Sequence, residues 1–243
     1  MTVTNAQLVT AITAAVAAQV VKASLTPAPR PTAATPTRKP PVRAASPAPA
    51  PTRKPKRPNL TYSDLGDDEK LHLRACVHEA GHAVVGAMLG GEIHAAVVSN
   101  SKVDGLQGFV SWDRLPDNIE SRVTYSGMFA EGMWLYGPRP TARQMRELHA
   151  YNGRDTEALC ASAVREMNGS PTAEARMAVP PLLNRTWPAV VRVAQQLYKT
   201  GEATHEDVCA ALGLPKGDRG GPGSSAVSSI KAGLRAVPPL PTA

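Results

Sequence analysis

Residues 78–82 read His-Glu-Ala-Gly-His, inside an apolar run with helical spacing. Two His four apart on a helix share one face, one turn above each other. Both imidazoles can then reach a single zinc ion, with Glu79 beside them facing a water that the metal makes acidic. The chemistry this spacing predicts is metal-assisted peptide hydrolysis. Glu79 is the general base, taking a proton from the attacking water and returning it to the leaving amine. Catalytic zinc takes three protein ligands and leaves a position open, so His78 and His82 need one more. Spacing leaves that third ligand open among Asp155, Glu131 and His149. Glu131 lies mid-helix beside Ala130. His149 also fits a solvated residue on a basic helix, and Asp155 also fits a capping carboxylate.

The elements that must position these residues are mostly helical. Asp67, Asp68 and Glu69 place negative charge where a helix N-terminus favours it. That helix carries the motif and stops at Gly90-Gly91, a C-cap signal. Ile93 to Ser99 and Gly108 to Trp112 read as two short strands that can pair. Asp117 and Glu120 have capping-box spacing for a helix with Ile119, Val123, Gly127, Ala130 and Trp134 on one side, ended by Gly137-Pro138. Thr141 opens a short basic helix. The next begins near Asp155 and carries Leu159, Ala163 and Val164. Thr186-Trp-Pro188 predicts a further helix start with Pro in the first turn, followed by an apolar face of Val190, Val191, Ala194, Leu197 and Tyr198. Thr204 and Asp207 cap a last helix ending before Gly213.

The flanks differ in composition. Leu8, Ile12, Val16 and Val20 mark a short amphipathic helix over 1–24, which fits an association helix or a nascent one. Residues 25–58 are a Pro-rich basic linker, predicted to be disordered, with Pro-Thr-Arg-Lys-Pro at 36–40 and again at 51–55. The nine Lys and Arg of residues 1–63 face no Asp or Glu there, so the net charge of +7 belongs to this arm and the rest is near neutral. The arm reads first as a stiff solvated spacer. The sharper alternative is a weak nucleic-acid or protein contact through residues 30–57, salt-sensitive and without base stacking, since no aromatic residue precedes Tyr62. A self-cleaved pro-segment also fits. Residues 215–243 are Gly-, Pro- and Ser-rich and predict a disordered tail, which leaves 59–214 as the folded unit. Three widely spaced Cys (Cys76, Cys160, Cys209) form no disulfide framework and fit a reducing, cytoplasmic setting. No segment has the apolar density of a membrane span, so no membrane partner is expected.

The stretch Leu71 to Gly90, centred on His-Glu-Ala-Gly-His-Ala-Val-Val, resembles the peptidase domain of the FtsH-type zinc peptidases. The two strands fall where that family has strands, and Ser126-Gly-Met-Phe-Ala-Glu131 resembles its Ala-Gly-x-x-Ala-Glu helix. Asn152-Gly-Arg-Asp155-Thr-Glu-Ala158 is similar to the segment whose Asp completes the metal site. The resemblance therefore implies Asp155 as third ligand and Glu131 as a residue behind the ligands. No Gly-x-x-x-x-Gly-Lys-Ser/Thr phosphate loop occurs, so ATP-driven unfolding is not carried over. The expectation is a mainly α (α+β) zinc-peptidase domain with a small two-stranded β element, flanked by disordered tails. It would be a stand-alone metalloendopeptidase acting on unfolded or partner-delivered protein. The rival expectation is a non-catalytic, metallopeptidase-like binding module tethered by its arm to nucleic acid or a protein assembly.

Overall fold

Three acidic residues open the first helix, α1 (Asp67–Leu89), and the Glu69 carboxylate accepts the Gly66 N–H at 2.9 Å. Gly90 ends α1 in the left-handed conformation, at φ 103°, a geometry that suits a residue without a Cβ. From Cys76 to Met88 every residue of α1 is buried, so this helix is the centre of the molecule. The computed structural model describes residues 64–101, 105–165 and 171–240. The expected N-terminal helix (1–24) and linker (25–58) lie outside the described residues, as does the stretch 241–243 of the expected tail.

After α1 the chain forms β1 (Glu92–Ser101), β2 (Gly105–Arg114), a 3-10 turn (Asp117–Ile119), α2 (Glu120–Tyr136), α3 (Ala142–Tyr151), α4 (Gly153–Arg165) and α5 (Pro171–Thr200). Then come β3 (Glu202–Ala203), α6 (His205–Leu212) and α7 (Ser225–Lys231). The protein is mainly helical, with a small antiparallel sheet in the order β2-β1-β3. Ala96 and Val98 of β1 are buried while Phe109 of β2, paired with Val97, is 53 % exposed. The sheet thus covers the core with one face. The expected strand pair is present, and a third strand is added to it. β3 has only two residues, which pair with Ala96 and Val97, too few to show any alternation in the sequence.

α1 packs against α2, α5 and both long strands. Its approach to α2 is close because Gly81 faces Ala130 and Ser126. A Cβ at Gly81 would lie 2.6 Å from the Ala130 Cβ. Thr141 caps α3 and Thr204 caps α6, each in a reciprocal capping box with Gln144 and Asp207.

Three expectations need correction. The capping box of Asp117 and Glu120 does not form: the N-cap of α2 is Ile119, without a side-chain bond, because Asp117–Ile119 winds as a 3-10 turn closed by Ile119 N–H on Pro116 O (3.1 Å). Pro188 does not start a helix. It lies inside α5 with Pro180 and Pro181. Each proline leaves unpaired the carbonyl four residues back. Those carbonyls belong to Arg176, Met177 and Asn184, which are all exposed, so water can serve them. The buried stripe of Val179, Leu182, Leu183, Trp187, Val190, Val191, Ala194 and Leu197 runs through without a break and holds the helix together. The helix expected near Asp155 forms as α4 and carries Leu159, Ala163 and Val164, of which only Leu159 is buried.

The tail is the third. Residues 215–240 are placed against the core, with Val227 and Ile230 of α7 and Val237 buried. Main-chain capture does much of the holding. His205 accepts the Ile93 N–H at Nδ1 and donates from Nε2 to Arg219 O. The Arg192 guanidinium donates to the carbonyls of Ala211 (2.9 Å), Pro238 and Pro239 (2.7 Å). Gly/Pro/Ser composition conceals such contacts, because they use backbone carbonyls rather than apolar side chains. Among the described residues, no helix is long and apolar enough to cross a membrane.

Candidate metal centre

α1 puts His78 and His82 on the face that looks at α2 and α4. Their Nε2 atoms are 3.0 Å apart. Asp155, in the first turn of α4, brings its Oδ2 to 2.8 Å from His78 Nε2 and 3.4 Å from His82 Nε2. These three residues form a group that could hold a metal ion. A Cβ at Gly127 of α2 would collide with the Nε2 atoms of both His, so a bare backbone is needed there.

The donor set fits a metal. His82 Nδ1 lies 2.7 Å from Val123 O, an atom that can only accept, so the proton is on Nδ1. His78 Nδ1 likewise faces the Glu131 carboxylate at 3.1 Å. Once neutral, as metal binding requires, each ring would turn an Nε2 lone pair inward, the arrangement that outer partners impose on ligating His. Asp155 Oδ2 is buried and has no hydrogen-bond partner, despite the short distance to His78. A buried carboxylate oxygen left so is costly, and a cation held between it and the two Nε2 atoms would satisfy it.

Glu131 stands behind the His78 ring, on its Nδ1 side. It is 1 % exposed and has both oxygens engaged: Arg74 Nε donates to one, and His78 Nδ1 and Asn152 Nδ2 (2.9 Å) donate to the other. It is outside the ligating group. His149 is also outside. Its Nδ1 is 3.4 Å from the Thr156 hydroxyl and its ring lies beside Tyr125. Arg74 and Asn152 escaped the sequence reading. For Arg74 a signal existed, since it sits four residues before His78 and therefore on the same helix face. Nothing local marked Asn152 as a partner of Glu131, which is 21 positions away.

The centre opens into a cavity of about 700 Å³ whose lining includes Glu79. Glu79 is 6 % exposed. Gly108 of β2 lies against it, so closely that a Cβ would be 2.5 Å from its Oε1. Phe109, Val110 and Trp112 of β2 line the same cavity, as do Arg74, Tyr151 and Arg154.

Proton affinities at the centre are shifted by the same convergence. Burial opposes the His78 cation, but the Asp155 and Glu131 carboxylates and the Glu79 charge outweigh it and raise its pKa to about 10. Burial opposes the His82 cation too, and Asp155 again prevails, so His82 is raised. Burial alone would raise Asp155, yet the two His hold it well below the ordinary carboxylate range. For Glu79, burial outweighs the nearby His and keeps its pKa high.

These shifts give a pH prediction for chelator-stripped protein. A raised His78 stabilises the fold fully below its ordinary 6.5 and loses that contribution as pH climbs toward about 10. The depressed Asp155 contributes above its ordinary 3.8 and loses it as pH falls. The stripped protein should therefore be most stable between those two values, with a melting temperature that declines from pH 6.5 upward. A metal must displace the His78 proton, so the gain in melting temperature on adding metal should widen over the same range. Thermal melts with and without metal measure both, and a flat profile for the stripped protein above pH 6.5 would contradict the prediction.

No protein-family model matches this chain, and no curated protein matches it.

Proposed function

We propose that this protein is a zinc-dependent endopeptidase, independent of ATP in itself, that hydrolyses peptide bonds of unfolded or partner-delivered proteins. One observation carries the reading: His78 Nε2, His82 Nε2 and an otherwise unpartnered Asp155 Oδ2 converge in a cavity that Glu79 lines. Two imidazoles and a carboxylate suit zinc, and three protein ligands leave a position open, as catalytic rather than structural sites do. Bound there, zinc would supply Lewis acidity, lowering the pKa of a water and polarising a peptide carbonyl. The remaining work falls to the chain. Glu131 and Val123 O hold the two rings in the ligating tautomer. The Glu79 carboxylate accepts the proton of the attacking water and delivers it to the leaving nitrogen. Burial keeps the Glu79 pKa high, which makes it a stronger base than an exposed carboxylate.

Substrate form follows from β2. It is an edge strand of the sheet, and residues 108–110 line the cavity. An extended peptide can add to such an edge through main-chain hydrogen bonds, which requires it to be unfolded locally. The resemblance of Leu71 to Gly90 to the FtsH-type peptidases supports the same reading. Cys76, Cys160 and Cys209 are free, which suits a reducing compartment such as the cytoplasm.

The test is elemental analysis of purified full-length protein combined with casein hydrolysis. About one zinc per chain is expected, with hydrolysis abolished by a chelator and restored by zinc. Protein that contains no transition metal and cannot be loaded with any would overturn the reading.

A further inference from the structure

The wall of the cavity beside the α3–α4 junction is cationic. Arg74 is one helical turn from His78 and Arg154 is next to Asp155, and both line the cavity. Arg74 donates from Nε to Glu131, and its guanidinium carbon lies over the Tyr151 ring, 3.9 Å from the centroid. Among the described residues its two Nη groups have no acceptor, and Arg154 has neither a hydrogen bond nor an ion pair. The guanidinium is thus fixed from two sides while its terminal fork is unspent. α4 begins at Gly153, so its N-terminal dipole adds positive potential at the same place. The acids of this region are already engaged: Asp155 at the centre, and Glu131 by three donors. From β2, Phe109 and Val110 also line the cavity.

We propose that Arg74 and Arg154 form a carboxylate-recognition subsite, so that the preferred peptide carries an acidic side chain or its own C-terminal carboxylate about two residues from the scissile bond. The offset follows from α1, where one turn separates Arg74 from His78. That rise of ~5.4 Å matches about two residues of extended peptide at ~3.3 Å each. A planar fork held on an aromatic face binds a carboxylate bidentately and loses little side-chain freedom in doing so. The inference rests on the peptidase reading for the meaning of a scissile bond, but the subsite itself is tested by binding.

The experiment uses zinc-loaded full-length Glu79→Gln protein and fluorescein-labelled Ala-Ala-Phe-Ala-Xaa-Ala peptides. Xaa is Glu, Gln or Lys, and each peptide ends as a free acid or an amide. A carboxylate-bearing peptide should bind about tenfold more tightly than its neutral counterpart by anisotropy. The Glu peptide ending in amide isolates the side-chain source, and the Gln peptide ending in acid isolates the terminal one. Adding Arg154→Glu should reverse the order and favour the Lys amide peptide, a gain that misfolded protein cannot mimic. Equal binding of Glu and Gln peptides and of acids and amides overturns the subsite. So does absence of binding by all of them, or a uniform loss in Arg154→Glu. Wild-type hydrolysis of the same peptides separates the two ideas. A binding preference without any cleavage removes the peptidase reading and leaves the subsite, whereas cleavage without preference does the reverse.

Discussion

Glu79→Gln should retain its zinc and lose casein hydrolysis by ~10²–10⁴-fold, the usual contribution of a positioned acid–base group. The zinc should stay because Glu79 is not among the three converging donors. The fold should stay because the site already favours a neutral group: burial raises the Glu79 pKa, and an isosteric amide carries no charge to desolvate. The loss should therefore fall on kcat, with zinc content by elemental analysis unchanged. Gly108→Ala is the companion variant. Its new methyl would press on the Glu79 carboxylate, which is the end of a flexible chain and can move aside. Zinc should again be retained and kcat should drop, by less than in Glu79→Gln. A Glu79→Gln protein that still hydrolyses casein at the wild-type rate would remove Glu79 from the chemistry, and an unaffected Gly108→Ala would show that its placement is not critical.

What was legible in the sequence was what is encoded within a few residues. The acidic start of α1, Gly90 at its end, Thr141 at the start of α3 and the capping box of Thr204 with Asp207 all use signals within a few positions. The His78–Glu79–His82 spacing is a signal of the same kind. What was missed needs the third dimension. Pro188 looks like a helix start, and only the continuous buried stripe through Trp187 and Val190 shows why α5 carries on past it. β3 exists because Val97 offers it an edge. The chain after Leu214 is held by Arg192 and His205, far away in sequence and aimed at its main chain. Asp155 was one of three candidates by spacing, and resemblance alone ranked it first. Its Oδ2 meets His78 across 77 positions, a separation that no local pattern reports.

The ranking of ligands yields the second large effect. Asp155→Ala should weaken zinc binding by more than ~100-fold, beyond the ~10–100-fold typical of removing an outer partner, while Glu131→Gln should fall within that range. Among the described residues, Asp155 supplies the only carboxylate oxygen that meets both Nε2 atoms. Without it two imidazoles remain, and the buried oxygen that favoured a cation is gone. Glu131 acts through His78 instead. Gln in its place can still accept from His78 Nδ1, so the ring keeps its tautomer, but the charge that steadies it and pairs Arg74 is lost. Arg74 is then left partly buried without a counter-ion, which should also lower the melting temperature of Glu131→Gln. Asp155→Ala should also melt below wild type once both are stripped of metal at pH 8, because His78, raised to about 10, is still protonated there and loses its pairing with Asp155. Competition with a chromophoric chelator measures the affinities, and thermal melts separate loss of metal from loss of fold. The reverse order, with Glu131→Gln the weaker binder, would move Glu131 into the coordination sphere and Asp155 out of it.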